Sequence, residues 1–138
     1  KTIKKNLGLV ILLLTLATLI LPACQKYPDG PQFSLRSKKE RVANTWRVDK
    51  CIKNGTDYTS TTIGYTETYT KDGNYSYMQD NHVGMGIWNF QSNDEEIELI
   101  GVSHLQTRTL SILKLEEKEF WYIYVDGNDK KEFHMIPN

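Results

Sequence analysis

Residues 65–79 have the pattern of two strands joined by a turn. They read Tyr-Thr-Glu-Thr-Tyr-Thr over 65–70, Lys-Asp-Gly-Asn over 71–74 and Tyr-Ser-Tyr-Met-Gln over 75–79. Because successive side chains of a strand point to opposite faces, Tyr65 and Tyr69 share one face of the first strand. By the same rule, Tyr75 and Tyr77 share one face of the second. Asp, Gly and Asn favour tight turns. The segment therefore predicts a β-hairpin that carries four tyrosines.

The same alternation of strand-like runs and turn signals continues through most of the chain. Asn54-Gly55 and the run from Asp126 to Asp129 are further turn signals, and residues 56–63 could form an edge strand or a loop. About eight strands, spaced about 11 residues apart, are predicted from residue 46 to residue 136. Their approximate bounds are 45–53, 65–70, 75–79, 86–91, 97–102, 108–116, 119–125 and 131–136.

Nearly all of these connections are short enough for hairpins, which favours a meander over crossing connections. An open sheet would leave unpaired edges, whereas closure removes them. We therefore predict an all-β fold, an up-and-down antiparallel barrel of about eight strands. Ser37 with Glu40 three residues later forms a capping-box pattern. It predicts a short N-terminal helix over about 38–44 that plugs one end, with Val42 and Ala43 toward the core.

The first 23 residues differ in composition from the rest. Within them, three lysines at the start precede an apolar run from Leu7 to Leu21, and there is no acidic residue. That run is too short for a spanning helix, which needs roughly 20 residues. A basic start and a short apolar core indicate a signal peptide, and an uncleaved N-terminal anchor helix with an incidental cysteine is the alternative. The segment Leu21-Pro22-Ala23-Cys24 resembles the bacterial lipobox.

The lipobox resemblance implies a lipoprotein. A diacylglyceryl group would be transferred to the sulfur of Cys24, cleavage would follow Ala23, and the new amino group would then be acylated, typically with palmitate. The chain then divides into a signal peptide over 1–23, a tether over 24–36 rich in proline and glycine, and a barrel domain over 37–138. The residue directly after Cys24 is not Asp. In this respect the chain resembles bacterial lipoproteins that are sorted to the outer membrane. We expect a lipid-anchored envelope protein, on either the periplasmic or the surface face.

Charge and cysteine content give no indication of a nucleic-acid-binding protein or of a disulfide-bonded fold. The whole chain has 17 basic and 17 acidic side chains, and loss of Lys1, Lys4 and Lys5 leaves a net charge of −3. This balance gives no reason to expect nucleic-acid binding. Cys51 is the only other cysteine, so no intramolecular disulfide is expected once Cys24 is lipidated. By strict alternation from Trp46 and Val48, Cys51 would lie on the opposite face of its strand.

Motifs for catalysis, metals or cofactors are absent from the sequence. His82, His104 and His134 are scattered, and we expect none of them to share a strand face with a cysteine or a carboxylate. No nucleophile elbow, phosphate loop or dinucleotide fingerprint occurs. We therefore expect no enzyme, no catalytic residue, no metal site and no cofactor.

Several motifs together resemble the lipocalin-like lipoproteins of Bacteroidota. They are Trp46-Arg47-Val48, Tyr69-x-x-Asp72-Gly73-x-Tyr75, Gly86-Ile87-Trp88-Asn89-Phe90, Ile97-Glu98-Leu99 and Leu110-Ser111-Ile112-Leu113-Lys114-Leu115. The resemblance covers about residues 37–136. It implies a lipocalin-like barrel that binds a small hydrophobic ligand.

The aromatic side chains are the candidate binding residues. The expected cavity is lined by Trp88, Phe90, Tyr65, Tyr77 and Tyr122, since eight strands can enclose one small molecule. Simple packing of these rings in a filled core is the other reading. In that case the domain would be an interaction or inhibitor module in an envelope complex, with an exposed apolar patch around Trp121 and an unknown protein partner.

Overall fold

A computed structural model describes residues 35–103 and 107–138. The predicted signal peptide, Cys24, most of the tether and His104 lie outside the described residues. The order of elements is α1 (Lys38–Val42), β1 (Thr45–Lys53), β2 (Thr56–Asp57), a 3-10 helix (Thr59–Thr62), β3 (Thr66–Tyr69), β4 (Asn74–Gln79), β5 (His82–Gln91), a second 3-10 helix (Ser92–Asp94), β6 (Glu96–Ser103), β7 (Arg108–Leu115), β8 (Phe120–Asp126) and β9 (Asp129–Pro137).

Eight of the strands close into an antiparallel barrel. From β3 to β9 each strand pairs with the next one, and β1 pairs with both β3 and β9. The β1–β9 ladder is the closing seam and runs from the pair Trp46–Pro137 to the pair Lys53–Lys131. The two-residue β2 adds a ninth strand to the outer part of β1. The predicted all-β, up-and-down barrel is confirmed.

The turns follow from residues that tolerate positive φ. Asn54 and Gly55 have φ values of 51° and 82°, and Asp80 and Asn81 have 47° and 69°. Positive φ at both central residues is the type I′ geometry, whose twist matches that of antiparallel strands. The turn at 80–81 lets β5 begin at His82, four residues before the predicted start at Gly86.

The helix α1 covers one end of the barrel. The Ser37 side chain accepts a hydrogen bond from the Glu40 amide at 3.2 Å, and the Glu40 carboxylate accepts one from the Ser37 amide at 3.0 Å, so the predicted capping box is present. The helix buries Val42 and Arg41 rather than Val42 and Ala43. Arg41 donates a hydrogen bond of 2.9 Å to the Leu115 carbonyl, and the Val42 carbonyl accepts one of 2.8 Å from the Trp46 indole.

The core fills the half of the barrel that α1 covers. Phe120 lies 5.7 Å from both Trp46 and Tyr69, and Tyr69 lies 5.8 Å from Trp88, measured between ring centroids. All four side chains are buried. Tilted and edge-on ring contacts of this kind stabilise a core beyond the area they bury. Within residues 35–103 and 107–138, none of the helices could span a bilayer.

A β-bulge in β1 overturns the face expected for Cys51. Val48 pairs with Met135 and Lys50 pairs with His134, so Asp49 is an extra residue between them. One extra residue reverses the alternation that follows it. Cys51 is therefore buried on the inward side, as Trp46 is, and not on the opposite face.

Candidate ligand-binding site

The barrel holds a pocket at the end opposite α1. Its volume is about 610 Å³, which is within the usual range for sites that bind small molecules. The pocket is lined by residues near the ends of β1, β4 and β8, by residues near the starts of β7 and β9, and by the 3-10 helix after β2. The lining residues are Cys51, Lys53, Tyr58, Thr61, Thr62, Tyr65, Tyr77, Gln79, Arg108, Tyr124, Asp126, Lys131 and Phe133.

Aromatic rings form the apolar wall of this pocket. The rings of Tyr65 and Tyr77 stack with centroids 6.0 Å apart and planes inclined by 27°. Phe133 lies 6.1 Å from Tyr65 and 5.9 Å from Tyr124, and its plane is inclined by only 15° to that of Tyr124. These rings come from β4, β8, β9 and the residue before β3. The wall can therefore contact a flat apolar ligand from more than one side.

Cationic side chains surround the apolar wall. Lys53 forms an ion pair of 2.8 Å with Asp129, and Lys131 forms one of 2.8 Å with Asp126. The guanidinium carbon of Arg108 lies 4.3 Å from the centroid of the Tyr124 ring. Among the described residues, the lining therefore has three cations, and Asp126 is its only anion.

The segment between β2 and β3 closes one side of the pocket. β1 pairs with β3 only over Thr45–Arg47, and beyond that point the segment with the 3-10 helix Thr59–Thr62 takes the place of β3. The Cys51 amide donates a hydrogen bond of 3.0 Å to the Thr59 hydroxyl, and the Thr61 carbonyl accepts one of 3.3 Å from Gln79. These bonds join the segment to β1 and β4.

A gap in the barrel wall meets the pocket at Arg108. The β7–β8 ladder ends at the pair Ser111–Ile123, so Arg108 has no cross-strand partner on β8 in the described ladder. A second cavity of about 470 Å³ lies there, and Arg108, Tyr124 and Asp126 line both cavities. Arg108 can therefore be reached from the open end of the barrel and from its side.

The floor of the pocket rests on a buried carboxyl group. Glu67 is 1% exposed and lies on the inward face of β3. Its Oε1 accepts hydrogen bonds from the hydroxyls of Tyr65 at 2.7 Å, Tyr75 at 3.0 Å and Tyr122 at 3.0 Å. Its Oε2 accepts one from Tyr69 at 2.8 Å. Four phenol donors thus satisfy a group that would be costly to bury alone.

Burial and the nearby carboxyl group change the acidity of these phenols. The pKa values of Tyr65, Tyr69 and Tyr122 are raised well above their usual value of 10, mainly by burial and then by the charge of Glu67. The pKa of Tyr75 is raised for the same two reasons. All four therefore stay protonated at neutral pH and act as hydrogen-bond donors. Tyr65 belongs to both the cluster and the pocket wall.

Cys51 lies in the pocket wall as a neutral thiol. Burial raises its pKa above the usual value of 9.0, and although the charge of Lys131 acts in the opposite direction, Asp57 adds to the increase. A thiolate is the nucleophilic form of cysteine. The Cys51 side chain is therefore suited to contact a ligand rather than to attack it.

The structure brings together two of the five residues expected to line a cavity. Tyr65 and Tyr77 line the pocket. Trp88 and Tyr122 are 2% and 1% exposed and lie in the packed core, and Phe90 packs against that core and the Trp88 ring. The core around Trp88 and Tyr122 is filled, and the open volume lies beyond Glu67.

Three functional side chains were not expected from the sequence. Arg108 and Lys131 were not singled out, although both share a strand face with buried residues: Arg108 with Leu110 and Ile112, and Lys131 with Phe133 and Met135. A cation on such a face is a local signal that alternation alone could have supplied. Alternation puts Glu67 on the same strand face as Tyr65 and Tyr69, but nothing local in the sequence indicates that it is buried.

The strand that carries Trp121 is covered from within the chain. The Trp121 ring stacks on the His134 ring with centroids 4.0 Å apart and planes inclined by 4°, and the ammonium of Lys114 lies 4.5 Å from the Trp121 ring centroid. His134 in turn contacts Glu132, two residues earlier on the same face of β9, at 2.7 Å. The expectation that no histidine shares a strand face with a carboxylate is therefore wrong for His134. The apolar outer face expected at Trp121 is therefore largely occupied by neighbouring strands, and Val125 at the end of the strand is exposed.

Metal-ligating side chains do not converge in the part of the chain that the structure describes. No group of three histidine, cysteine, aspartate or glutamate side chains there could hold a metal ion. What the pocket offers is an apolar surface with cations at its edge. Comparison of the sequence with protein-family models and with curated proteins finds no match.

Proposed function

We propose that this chain is a lipid-anchored envelope protein that binds a small, largely apolar molecule in the open end of its barrel. The single observation that carries the proposal is the pocket of about 610 Å³ bounded by the rings of Tyr65, Tyr77, Tyr124 and Phe133. A cavity of this size and composition suits a ligand of drug-like dimensions. The filled core below Glu67 explains why only half of the interior is open.

Binding rather than catalysis suits the side chains of this pocket. Cys51 is a buried neutral thiol, and the phenols of the cluster are held as donors to Glu67. A catalytic site needs a nucleophile or a base placed to act on substrate. The lipid on Cys24, supported by the lipobox resemblance, would hold the pocket at the membrane, where apolar ligands are concentrated.

Native mass spectrometry of protein purified from its own envelope tests this function. We expect a retained small molecule, and an N-terminal mass that corresponds to a lipidated Cys24. Thr62→Trp fills the pocket from the 3-10 helix, and Ser60→Trp adds the same ring on an exposed position of that helix, outside the lining. The small molecule should disappear in Thr62→Trp and remain in Ser60→Trp. Equal occupancy in both variants would contradict the proposed site.

An interaction module is the second candidate, and one surface favours it. Met78, Val83, Met85 and Ile87 are between 43% and 56% exposed on the outer face of β4 and β5, and Met78 pairs directly with Val83. Exposed apolar side chains that cluster in this way are typical of protein contacts. In the same mass measurement, a protein partner lost in Met85→Lys but kept in Thr62→Trp would favour this function over ligand binding.

A further inference from the structure

Arg108 is an arginine that points into the barrel. It begins β7 and shares its inward face with the buried side chains of Leu110 and Ile112. Its own side chain is half-buried, and its guanidinium carbon lies 4.3 Å from the centroid of the Tyr124 ring. A cation that is partly shielded from water in this way is stabilised by an anionic partner, because even partial desolvation of a charge is costly.

The described part of the chain does not supply an anion for Arg108. No carboxylate of residues 35–103 or 107–138 forms an ion pair with it, and its guanidinium donates no hydrogen bond to any of these residues. Asp126, the one anion that the described residues contribute to the lining, is bound to Lys131 at 2.8 Å. The planar fork of N–H donors on Arg108 is therefore unused, and it faces both the pocket and the side gap.

The other cations of the lining increase the positive potential around Arg108. Lys53 and Lys131 each have one carboxylate partner, but Asp129, the partner of Lys53, lies outside the lining. From residues 35–103 and 107–138, an anion that enters the pocket thus meets three cations and one carboxylate. Guanidinium groups bind carboxylates and sulfonates through two parallel hydrogen bonds, which also fixes the orientation of the ligand.

We propose that the ligand of this pocket is an amphiphilic anion, with a flat apolar body against the Tyr65, Tyr77 and Phe133 rings and a carboxylate-like or sulfonate-like head group on Arg108. The inference rests on the proposed function, since it names the chemical class of the molecule bound at that same site. The proposed ligand differs from a purely hydrophobic one in one respect, because its anionic head group forms an ion pair with Arg108.

Two fluorescent probes with the same ring skeleton test this class. Anilinonaphthalene sulfonate carries one negative charge, and phenylnaphthylamine is the same skeleton without the sulfonate. The purified protein should bind the sulfonate at least about tenfold more tightly, because a partly desolvated charge pair contributes on the order of 1.4 kcal/mol or more. Arg108→Gln should remove this preference, because it lowers the affinity for the sulfonate by far more than the affinity for phenylnaphthylamine. Arg108→Lys should restore part of the preference.

Lys130→Gln is the matched control. Lys130 is an exposed cation on the outer face of β9, next to Lys131 and outside the pocket lining, so the same loss of charge there should leave both affinities unchanged. Non-specific partition of the probes is the same for all variants and cancels in the comparison. Circular dichroism shows whether Arg108→Gln folds, and the partial rescue by lysine supports the assignment even if its stability falls.

Failure of the ligand class and failure of the site give different results. One outcome refutes the anionic class alone: both probes bind with equal affinity, Arg108→Gln leaves the ratio of the two affinities unchanged, and Thr62→Trp abolishes the binding of both probes. In that case the small-molecule site stands and the anionic class is wrong. If neither probe binds, or Thr62→Trp affects neither, the proposed pocket function itself is overturned together with this inference.

Discussion

Tyr122 on β8 donates a hydrogen bond of 3.0 Å to the buried carboxyl group of Glu67 on β3. The two residues are 55 positions apart in the chain and come from separate parts of the sheet. The bond therefore crosses the interior, and it forms only when the barrel is closed. Glu67 with its four phenol donors connects the filled core to the floor of the pocket.

Loss of the Glu67 carboxyl group should destabilise the barrel substantially. In Glu67→Gln the amide group replaces one acceptor oxygen with a donor, so at least one of the four phenols loses its acceptor in the interior. A buried polar group left without a partner costs roughly 1–3 kcal/mol, and we expect the free energy of unfolding to fall by about 2 kcal/mol. Urea unfolding measures it. Glu95→Gln, at an exposed position, should change it by less than about 0.5 kcal/mol.

A double-mutant cycle isolates the bond between Tyr122 and Glu67. Tyr122→Phe alone should cost about 1 kcal/mol. In the Glu67→Gln background the same change should cost less, because part of the interaction is already lost. A coupling energy of about 0.5–1 kcal/mol between the two positions is expected. Strict additivity would mean that the hydroxyl of Tyr122 contributes nothing through Glu67.

Alkaline pH should unfold the protein through its buried tyrosines. The pKa values of Tyr65, Tyr69 and Tyr122 are raised well above 10 in the folded state, by burial first. A tyrosine whose pKa is higher in the folded than in the unfolded state stabilises the folded protein. This stabilisation is complete below the pKa of tyrosine in the unfolded state, about 10, and is lost as the pH rises above that value. The free energy of unfolding should therefore decline from about pH 10 upward.

Ultraviolet absorbance of tyrosinate follows this transition directly. Ionisation of Tyr65, Tyr69, Tyr75 and Tyr122 should coincide with loss of the circular dichroism signal, and both should be abrupt. Denaturant-unfolded protein should instead show a gradual titration near pH 10. Smooth ionisation of these four tyrosines in the folded protein would disprove their burial against Glu67.

The sequence predicts the strands and turns well because these signals are local. Alternation over 65–79 and the Asn54-Gly55 turn depend on neighbouring residues only, and the strands and the turn form where expected. The same is true of the capping box formed by Ser37 and Glu40. Each of these features is determined by residues that are close together in the sequence, so its pattern can be recognised without knowledge of distant contacts.

The site is predicted less well because it depends on closure and on one bulge. Glu67 finds partners on β4 and β8, which only the closed barrel brings to it. The bulge at Asp49 reverses the faces of the residues after it, which is why alternation placed Cys51 on the wrong side. Trp88 and Tyr122, which were expected to line a cavity, lie instead in the filled half of the interior. The division into a filled half and an open half follows from packing volumes that alternation does not contain.

Gly84 is expected to be essential for the position of Tyr77 in the pocket wall. Gly84 pairs with Tyr77 across β4 and β5, and a Cβ added to Gly84 would overlap the Tyr77 ring. Gly84→Ala must therefore displace the ring, and overpacking of this kind costs roughly 1–3 kcal/mol. Probe affinity should fall as well, since Tyr77 stacks on Tyr65 in the wall.

A second substitution identifies the cause of that loss. Tyr77→Leu combined with Gly84→Ala removes the ring that the methyl group displaces, so the two changes together should cost less than the sum of the separate costs. Val83→Ala, on the outer face of the same strand, should leave probe affinity unchanged. If Gly84→Ala costs as much in the Tyr77→Leu background as in the wild type, the strain does not arise at this ring.

The capping box makes the helix α1 sensitive to acid. The amide of Ser37 and the ammonium of Lys71 hold the pKa of Glu40 at about 2, compared with 4.5 for an unperturbed carboxyl group. Since the folded pKa is depressed, the stabilisation is complete above about pH 4.5 and is lost as the pH falls toward about 2.

Glu40→Gln keeps an acceptor for the Ser37 amide but removes this titration. The difference in unfolding free energy between the wild type and Glu40→Gln, measured by urea unfolding from pH 7 to pH 3, should therefore shrink steadily below pH 4.5. A difference that stays constant over this range would show that the charge of Glu40 does not stabilise the closed end of the barrel.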